Sequence, residues 1–167
     1  MTDHILDLIQ KYHSRGVLVD TNILLLRFVG DFDRDLIPRF KRTAQFVVED
    51  YDLLKGLLVR FDSTITTPHI LAEVNSLSGQ LGEPGRTAYF ETFARGIGLL
   101  DEQYVESKKA AEIDRFPALG LTDSGIALLA TGAYLVLTDD FRSYGILETM
   151  GIDVVNFNHI RPIGWAS

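Results

Sequence analysis

Residues 17–30 read VLVDTNILLLRFVG, and this stretch decides the fold class. The apolar run Val17–Val19 predicts a short strand that is buried on both faces. Asp20 stands at the carboxyl end of this strand, and the apolar residues after it predict a helix that ends near Gly30. A buried strand that passes directly into a helix is typical of a parallel sheet with helical crossovers.

The same alternation continues on both sides of this stretch. Apolar or β-branched runs predict four more strands, at 63–67, 97–100, 134–138 and 153–157. Helical spacing predicts helices at 3–13, 43–60, 68–82, 86–95, 102–114, 122–132 and 141–150, with loops at 31–43 and 116–121. We therefore expect one α/β domain over 1–167, a three-layer α/β/α arrangement with a central, mainly parallel sheet.

Composition limits the function classes. The chain has 167 residues, is 46% hydrophobic and carries a net charge of −7, which suits one globular domain but disfavours general nucleic-acid binding. The absence of cysteine excludes disulfides, thiolate metal sites and a cysteine nucleophile, and it fits a cytoplasmic location. We expect no membrane span, because no apolar run approaches about 20 residues, and the acidic N-terminal segment does not resemble a signal peptide.

Four acidic residues stand at four junctions between strands or loops and helices. They are Asp20, Glu73 in TPHILAEV, Asp123 in LTDSGIALLA and Asp140 in LVLTDDF. Ligands of open α/β sheets bind beyond the carboxyl ends of the strands, where Asp20 and Asp140 fall. Two bare charges about 4 Å apart repel by roughly 4 kcal/mol at an effective dielectric of about 20. A cluster of such residues either takes up protons or binds a divalent cation. The second interpretation, a bound cation, predicts metal-dependent chemistry on phosphodiesters.

Each acid also has a plain structural interpretation. Asp20 is suited to cap the helix that follows it, and Asp139 or Asp140 is suited to cap the helix at 141–150. Glu73 lies at the border of an apolar helical face, where a solvated glutamate is common. Asp123 is harder to explain in this way, because its helical face also carries Ile126, Ala127 and Ala130. A charge on a core-facing side costs several kcal/mol unless it is paired or bound to a metal. The occurrence of all four acids favours the cluster.

These four segments, in this order, resemble those of the PIN-domain family, whose members include the toxin ribonucleases of toxin–antitoxin pairs. The resemblance runs from about Val17 to Phe157. It implies a metal-dependent endoribonuclease that cleaves single-stranded RNA, with Asp20, Glu73, Asp123 and Asp140 as catalytic acids. Thr138 stands two residues before the fourth acid and so selects Asp140, with Asp139 as an auxiliary or surface residue. The helix at about 3–13 and the helical segment at about 31–62 are additions to the compact family pattern.

The resemblance also implies roles for particular residues. Asp20, Asp123 and Asp140 would hold Mg²⁺ or Mn²⁺, and Glu73 would complete the cluster. Four further residues would support the site: Asn22, Thr138, Asp139 and Arg142. Asn22 would orient Asp20 or cap its helix locally, and Thr138 would hydrogen-bond a ligand or simply end its strand. Arg142 would contact a phosphate group or form a pair with Asp139. The basic stretch either contacts RNA or is ordinary surface charge; it comprises Arg27, Arg34, Arg39, Lys41 and Arg42.

Two other functions stay open from the sequence. One is a non-catalytic PIN-like module that binds protein or RNA. The other is a phosphotransfer receiver domain, which is disfavoured because VLVDTN supplies one acid rather than a pair and no lysine follows Lys109. For the toxin interpretation, the resemblance implies RNA as substrate, an antitoxin chain that covers the acidic pocket, and a homodimer.

Overall fold

The computed structural model describes residues 1–161, and within them five parallel strands form one sheet in the order β3-β2-β1-β4-β5. The strands are β1 (Val17–Val19), β2 (Thr64–Thr66), β3 (Asp101–Glu102), β4 (Leu135–Thr138) and β5 (Val154–Asn156). The predicted α/β class is confirmed, and the described sheet is entirely parallel rather than mainly so. The last six residues of the domain expected over 1–167, from Pro162 onward, lie outside the described residues.

Eight helices connect these strands within residues 1–161. They are α1 (Asp3–Tyr12), α2 (Thr21–Phe32), α3 (Val48–Leu58), α4 (Pro68–Ser78), α5 (Gly85–Ile97), α6 (Ser107–Ala111), α7 (Phe116–Ala130) and α8 (Phe141–Thr149), with 3₁₀ turns at Arg34–Leu36 and Phe157–His159. The chain moves from β1 outward to β3, then returns past β1 to β4 and β5. Right-handed crossovers therefore place the two sets of helices on opposite faces, which gives the three layers.

This reversal of direction creates a crevice between the carboxyl ends of β1 and β4. The two strands are paired in register, with Val19 beside Leu137. Both strands are buried along their whole length, because helices cover both faces of the sheet. In doubly wound sheets the crevice at such a switch point is the usual ligand site. The residues directly after β1 and at the end of β4 are Asp20 and Thr138, so the fold places them side by side.

No helix within the described part of the chain is both long and apolar enough to cross a lipid bilayer.

The structure corrects the predicted boundaries of several elements. The helix predicted at 43–60 begins only at Val48, because the Asp50 carboxylate accepts a hydrogen bond from Val47 N at 2.9 Å and fixes the first turn there. The strand predicted at 97–100 is wrong, since α5 continues to Ile97 and β3 occupies only the next two positions after Leu100. The helix predicted at 102–114 shrinks to the five residues of α6.

The loop predicted at 116–121 is also wrong. Phe116 begins a helical turn that continues into α7, and only Gly120 has non-helical geometry, with φ of 75°. A positive φ is readily adopted by glycine, which lacks a Cβ. The kink at Gly120 sets the start of the long segment of α7 that carries Thr122 and Asp123.

The contact between α2 and α3 leads to a prediction about stability. A Cβ added at Gly30 would lie 2.2 Å from the buried Tyr51 ring. We expect Gly30→Ala to lower the free energy of unfolding by about 1–3 kcal/mol, because the ring must shift in a packed core. Gly56→Ala in α3 is the control, since a Cβ there meets nothing within 4 Å. Urea unfolding measures both, and equal stability of the two variants would contradict the tight contact.

Candidate functional site

Asp20 directly follows β1, and its side chain is hydrogen-bonded to the last residue of β4, so it lies between the two strands that border the crevice. It is 8% exposed and is the N-cap residue of α2, where its Oδ1 accepts a hydrogen bond from Thr21 N at 2.6 Å. Its other oxygen, Oδ2, accepts a hydrogen bond from Thr138 Oγ1 at 2.6 Å. The capping role expected from the sequence and the location at the crevice are therefore both present. The Thr138 hydroxyl fixes the Asp20 carboxylate over the end of β4.

Glu73 reaches toward the same region from α4. The helix begins at Pro68, after Thr67 accepts a hydrogen bond from Ile70 N at 3.2 Å. The Glu73 side chain is exposed, but both of its oxygens accept hydrogen bonds from threonines: Oε2 from Thr21 Oγ1 at 2.8 Å and Oε1 from Thr122 Oγ1 at 2.6 Å. Glu73 therefore links the start of α2 to α7 and is not a freely solvated glutamate.

Asp123 and Asp140 are connected through Ser143. Ser143 Oγ donates a short hydrogen bond to Asp123 Oδ2. Ser143 N and Arg142 N donate to Asp140 Oδ1 at 3.0 and 2.7 Å, so Asp140 caps α8. The apolar neighbours of Asp123 on α7, including Ile126, are buried as the helical spacing predicted. The start of α8 thus holds two of the acids in fixed positions relative to each other.

The pKa values indicate that the acids lie close enough to repel one another. Burial raises the pKa of Asp20 to about 7, with the charge of Asp123 as the second cause. Burial also raises the pKa of Asp123, and the charges of Asp140 and Glu73 add to this effect. Within residues 1–161, no lysine, arginine or histidine forms an ion pair with any of these four acids. Hydroxyl and backbone N–H groups, rather than cations, hold the carboxylates.

Asp139 belongs to this cluster more closely than the sequence indicated. Burial is the main cause that raises the pKa of Asp139, and the charge of Asp140 raises this pKa further. The Asn22 side chain acts in the opposite direction. Asp139 Oδ1 is buried with no hydrogen-bond partner in the described chain. Its charge also raises the pKa of Asp20. Of the two roles expected for Asp139, auxiliary or surface, its half-buried position favours the auxiliary one. The Asn22 side chain affects the pKa of Asp139, while the hydrogen bonds to Asp20 come from Thr21 N and Thr138 Oγ1.

The oxygen atoms of the cluster suit the divalent cation that the sequence predicted. Carboxylate and hydroxyl oxygens are the hard ligands that Mg²⁺ and Mn²⁺ prefer, and the excess negative charge has no protein counterion among the described residues. The unpartnered Oδ1 of Asp139 adds a further oxygen near Asp20. However, no group of three histidine, aspartate or glutamate side chains between residues 1 and 161 has the spacing of a metal site. The residues fit the cation in chemistry and charge, but their side chains are not drawn together around a common point.

The basic residues chosen from the sequence are mostly engaged elsewhere. Arg27 pairs with Asp31 at 2.6 Å, and Arg34 pairs with Asp52 at 2.5 Å. Similar contacts hold Arg39 against Asp33 at 3.6 Å and Arg42 against Gln80 at 2.8 Å. For these four arginines the structure favours ordinary surface charge over RNA binding, and the exposed Lys41 adds no argument for either.

Arg142 differs from the other basic residues selected from the sequence. Its backbone N–H donates to the capping Asp140 carboxylate, but its exposed guanidinium group makes no hydrogen bond or ion pair anywhere in 1–161. The predicted alternative, a pair with Asp139, is therefore not formed. Arg142 is the cation nearest in sequence to the fourth acid and remains available for a ligand.

Three hydroxyl residues of the site were missed in the sequence. Thr21 and Thr122 hold Glu73, and Ser143 holds Asp123. A signal was present, because Thr21 and Thr122 are each the direct neighbour of a selected acid and Ser143 lies three residues after Asp140.

The fold and the site together define a doubly wound α/β protein with a carboxylate cluster at the switch crevice. The turn after β1, DTNI, lacks the glycine fingerprint of dinucleotide-binding proteins with a similar strand order. In comparisons with known proteins, no family model and no curated protein matches the chain. The PIN-domain resemblance therefore stays a prediction from the residues quoted above.

Proposed function

We propose that this protein is a metal-dependent endoribonuclease of the PIN type that cleaves single-stranded RNA. One observation carries the proposal: the buried Asp20, held by Thr138 at the switch crevice, and the partly buried Asp123, held by Ser143, have no cationic ion-pair partner within residues 1–161. Uncompensated carboxylates in such a crevice are costly, so they are expected to serve a positively charged ligand. The order of the four acidic segments supports the PIN type and its substrate, RNA.

Asp20, Asp123 and Asp140 would hold one or two Mg²⁺ or Mn²⁺ ions, with Asp139 close by. When bound, the cation supplies a water of lowered pKa and stabilises negative charge on the phosphate. The chain's own residues fix the carboxylates: Thr138 orients Asp20, and Ser143 sets Asp123 relative to Asp140. Glu73 is exposed and held by two threonines, which suits it to bind a water at the mouth of the crevice.

The net charge of −7 makes tight general binding of RNA unfavourable, so cleavage depends on local contacts and on the cation. The free guanidinium of Arg142 is the candidate for a phosphate contact beside the acids. The toxin role, an antitoxin partner that covers the crevice, and a homodimer are part of the proposal through the family resemblance alone.

The test of the proposed function is cleavage of a labelled single-stranded RNA by the purified protein. We expect cleavage with Mn²⁺ or Mg²⁺, no cleavage with excess chelator, and recovery when the metal is restored. Absence of cleavage with either metal over a broad set of RNA sequences would reject the enzyme.

A thermal shift experiment tests the cation without activity. A ligand at about 100 times its Kd stabilises the folded state by about 2.7 kcal/mol, which for a chain of this size raises Tm by about 5–10 °C. We expect Mn²⁺ to raise the Tm of the wild type and to have little effect on Asp123→Asn. Asp62→Asn, which alters an exposed acid outside the cluster, is the control and should respond as the wild type does. Equal shifts for all three proteins would place the cation elsewhere.

A second candidate function is a non-catalytic PIN-like module that binds protein or RNA. It is favoured by the absence, among residues 1–161, of three acidic or histidine side chains at metal-site spacing. In that case the acids would meet the basic side chains of a partner. Binding of RNA or protein without cleavage, and without a Mn²⁺-dependent rise in Tm, would support this candidate.

A further inference from the structure

Three rings form an aromatic surface beside the acidic crevice, on the side of β5. Phe141 directly follows Asp140 and is 61% exposed. Its ring centroid lies 5.7 Å from that of the exposed His159, and the His159 ring lies 5.3 Å from the Tyr144 ring, edge to face. Single exposed apolar side chains need no explanation, but here the exposed ring continues into two others. We call Phe141, His159 and Tyr144 the aromatic surface.

A cavity of about 280 Å³ continues from the aromatic surface along the edge strand β5. Tyr144 and His159 line its near end, and Ile5 and Val154 are among the apolar residues that line it from α1 and β5. The cavity is thus walled by α1, α8 and the outer edge of the sheet. A flat, uncharged ligand that rests on the aromatic surface can extend into it.

Asn156 gives this cavity a specific polar feature. Asn156 is one of the residues that line the cavity and is 0% exposed. Its Oδ1 accepts hydrogen bonds from Asn158 N at 2.9 Å and Asn158 Nδ2 at 3.0 Å, which fixes the orientation of the amide. Its Nδ2 then has no acceptor among residues 1–161. A buried donor without an acceptor is unfavourable, so the donor points to a ligand that carries a hydrogen-bond acceptor.

The charges around the cavity restrict what this ligand can be. Glu148 and Asp153 also line it, and they disfavour a phosphate group inside. A nucleobase fits better, because it is flat and neutral, has a π-face for stacking, and carries carbonyl or ring-nitrogen acceptors. The phosphate that precedes or follows the base can remain outside, where the exposed Arg142 is the next residue after Phe141 in the chain.

We propose that Phe141, flanked by the His159 ring at an interplanar angle of 54°, is a stacking platform for a base of single-stranded RNA next to the cleaved phosphate, and that Asn156 donates a hydrogen bond to a base in the cavity. The proposal rests on the proposed function in one respect, which is that the acids beside Phe141 are the cleavage centre. Stacking of a base on an aromatic side chain is tolerant of sequence, whereas the amide donor selects among bases.

The first test measures RNA binding without cleavage, in excess chelator and at low salt. The probe is a single-stranded RNA decamer that contains 2-aminopurine, whose fluorescence falls when it stacks on an aromatic ring. We expect quenching by the wild type and by Phe141→Trp. Phe141→Ala should abolish the quenching and weaken binding about 5- to 150-fold. Leu99→Ala is the matched control, because Leu99 is 82% exposed and precedes β3 at the opposite edge of the sheet; its Kd should match the wild type.

The second test separates base recognition from structure. Asn156→Asp keeps the oxygen that accepts from Asn158 and replaces the free NH₂ group. We expect the wild type to bind decamers of different base composition with different Kd values and the variant to lose most of that difference. A Tm measurement on the same samples reports whether the variant is folded. Unchanged base preference in the folded variant would overturn the role of Asn156.

These outcomes are distinguishable from failure of the proposed function. If RNA is cleaved in the presence of metal but Phe141→Ala binds as the wild type does, the stacking platform is rejected and the nuclease stands. If Phe141-dependent stacking occurs but no metal supports cleavage, the platform stands and the nuclease falls. A surface that serves a protein partner would leave both quenching and RNA affinity independent of Phe141. Failure of the wild type to bind any RNA would also overturn the platform.

Discussion

Asp123→Asn is expected to slow Mn²⁺-dependent cleavage of single-stranded RNA at least about a hundredfold. The loss of one preorganised group that stabilises transition-state charge costs roughly 10²–10³-fold in other enzymes. Asparagine has the shape of aspartate and keeps an oxygen that can accept from Ser143, so the change removes charge with little change of packing. The measurement is the single-turnover rate of cleavage at saturating metal and protein.

The control for this experiment is Asp62→Asn, an exposed acid that contacts only His13 at 3.5 Å among its possible ion-pair partners in 1–161. It should keep the wild-type rate. Increasing the Mn²⁺ concentration should recover part of the lost rate if Asp123 binds the cation. A folded Asp123→Asn variant that cleaves at the wild-type rate would reject the acidic crevice as the catalytic site.

Asp20→Asn is expected to stabilise the protein at pH 8 when no divalent cation is present. The pKa of Asp20 in the folded protein is about 7, against an ordinary value of 3.8. Between these values the folded state holds a proton that the unfolded state has released. The free energy of unfolding therefore falls as the pH rises from about 4 to about 7, and the full cost of the charge is present above pH 7.

The size of this effect follows from the same values. A rise from 3.8 to about 7 corresponds to roughly 4 kcal/mol at most. The asparagine must still reorganise the hydrogen bond with Thr138, which offsets about 1 kcal/mol. We expect a net gain of roughly 2–3 kcal/mol at pH 8 that disappears near pH 4. Urea unfolding at pH 4, 6 and 8 with chelator measures it, and a variant that is less stable than the wild type at pH 8 would contradict the prediction.

Asp153→Asn is the control, because its effect on the free energy of unfolding should have the opposite sign to that of Asp20→Asn. The Lys11 ammonium group is the main cause that holds the pKa of Asp153 below its ordinary value. This carboxylate contributes stability above the unfolded-state pKa and loses it as the pH falls through the lower folded-state pKa. The pair is largely exposed, so the expected loss is small and confined to neutral and higher pH. Together, the two variants separate acids that stabilise the fold from acids kept at the site at a cost.

The sequence predicted much of the site because two kinds of physical constraint act at the same residues. Asp20 and Asp140 follow buried strands, and a residue in that position reaches the carboxyl edge of a parallel sheet whatever the rest of the chain does. Asp123 was found because a charge on an apolar helical face needs a reason. The capping interpretations were also correct for Asp20 and Asp140, so the two explanations were not exclusive.

The errors share a cause, which is that they depend on contacts between distant segments. The start of α3 depends on Asp50, whose carboxylate is buried against Arg161 at 2.7 Å, and this pair joins residues far apart in sequence. The two-residue strand β3 exists because its backbone pairs with β2, and Asp101 and Glu102 give no strand signal of their own. Local propensity alone therefore assigned both regions wrongly.

The hydroxyl contacts and the position of Asp139 are further examples. Thr21, Thr122 and Ser143 look like ordinary helix-start residues, and only the packing of α2, α4, α7 and α8 brings their hydroxyls to acids on other elements. Asp139 and Asp140 are equivalent in a sequence that reads TDDF. The turn after β4 half-buries Asp139 and leaves the exposed Asp140 at the start of α8.

The sequence by itself determined the alternation of strands and helices, the parallel sheet and the placement of Asp20 and Asp140 at its carboxyl edge, because these follow from periodicity and chain direction. Only the tertiary structure decided that β1 and β4 are neighbours, so that Asp20 and Asp123 repel and hydroxyls rather than cations hold them. The physical reason is that hydrophobic periodicity is a local property, whereas desolvation and charge repulsion depend on which distant groups share the same small volume.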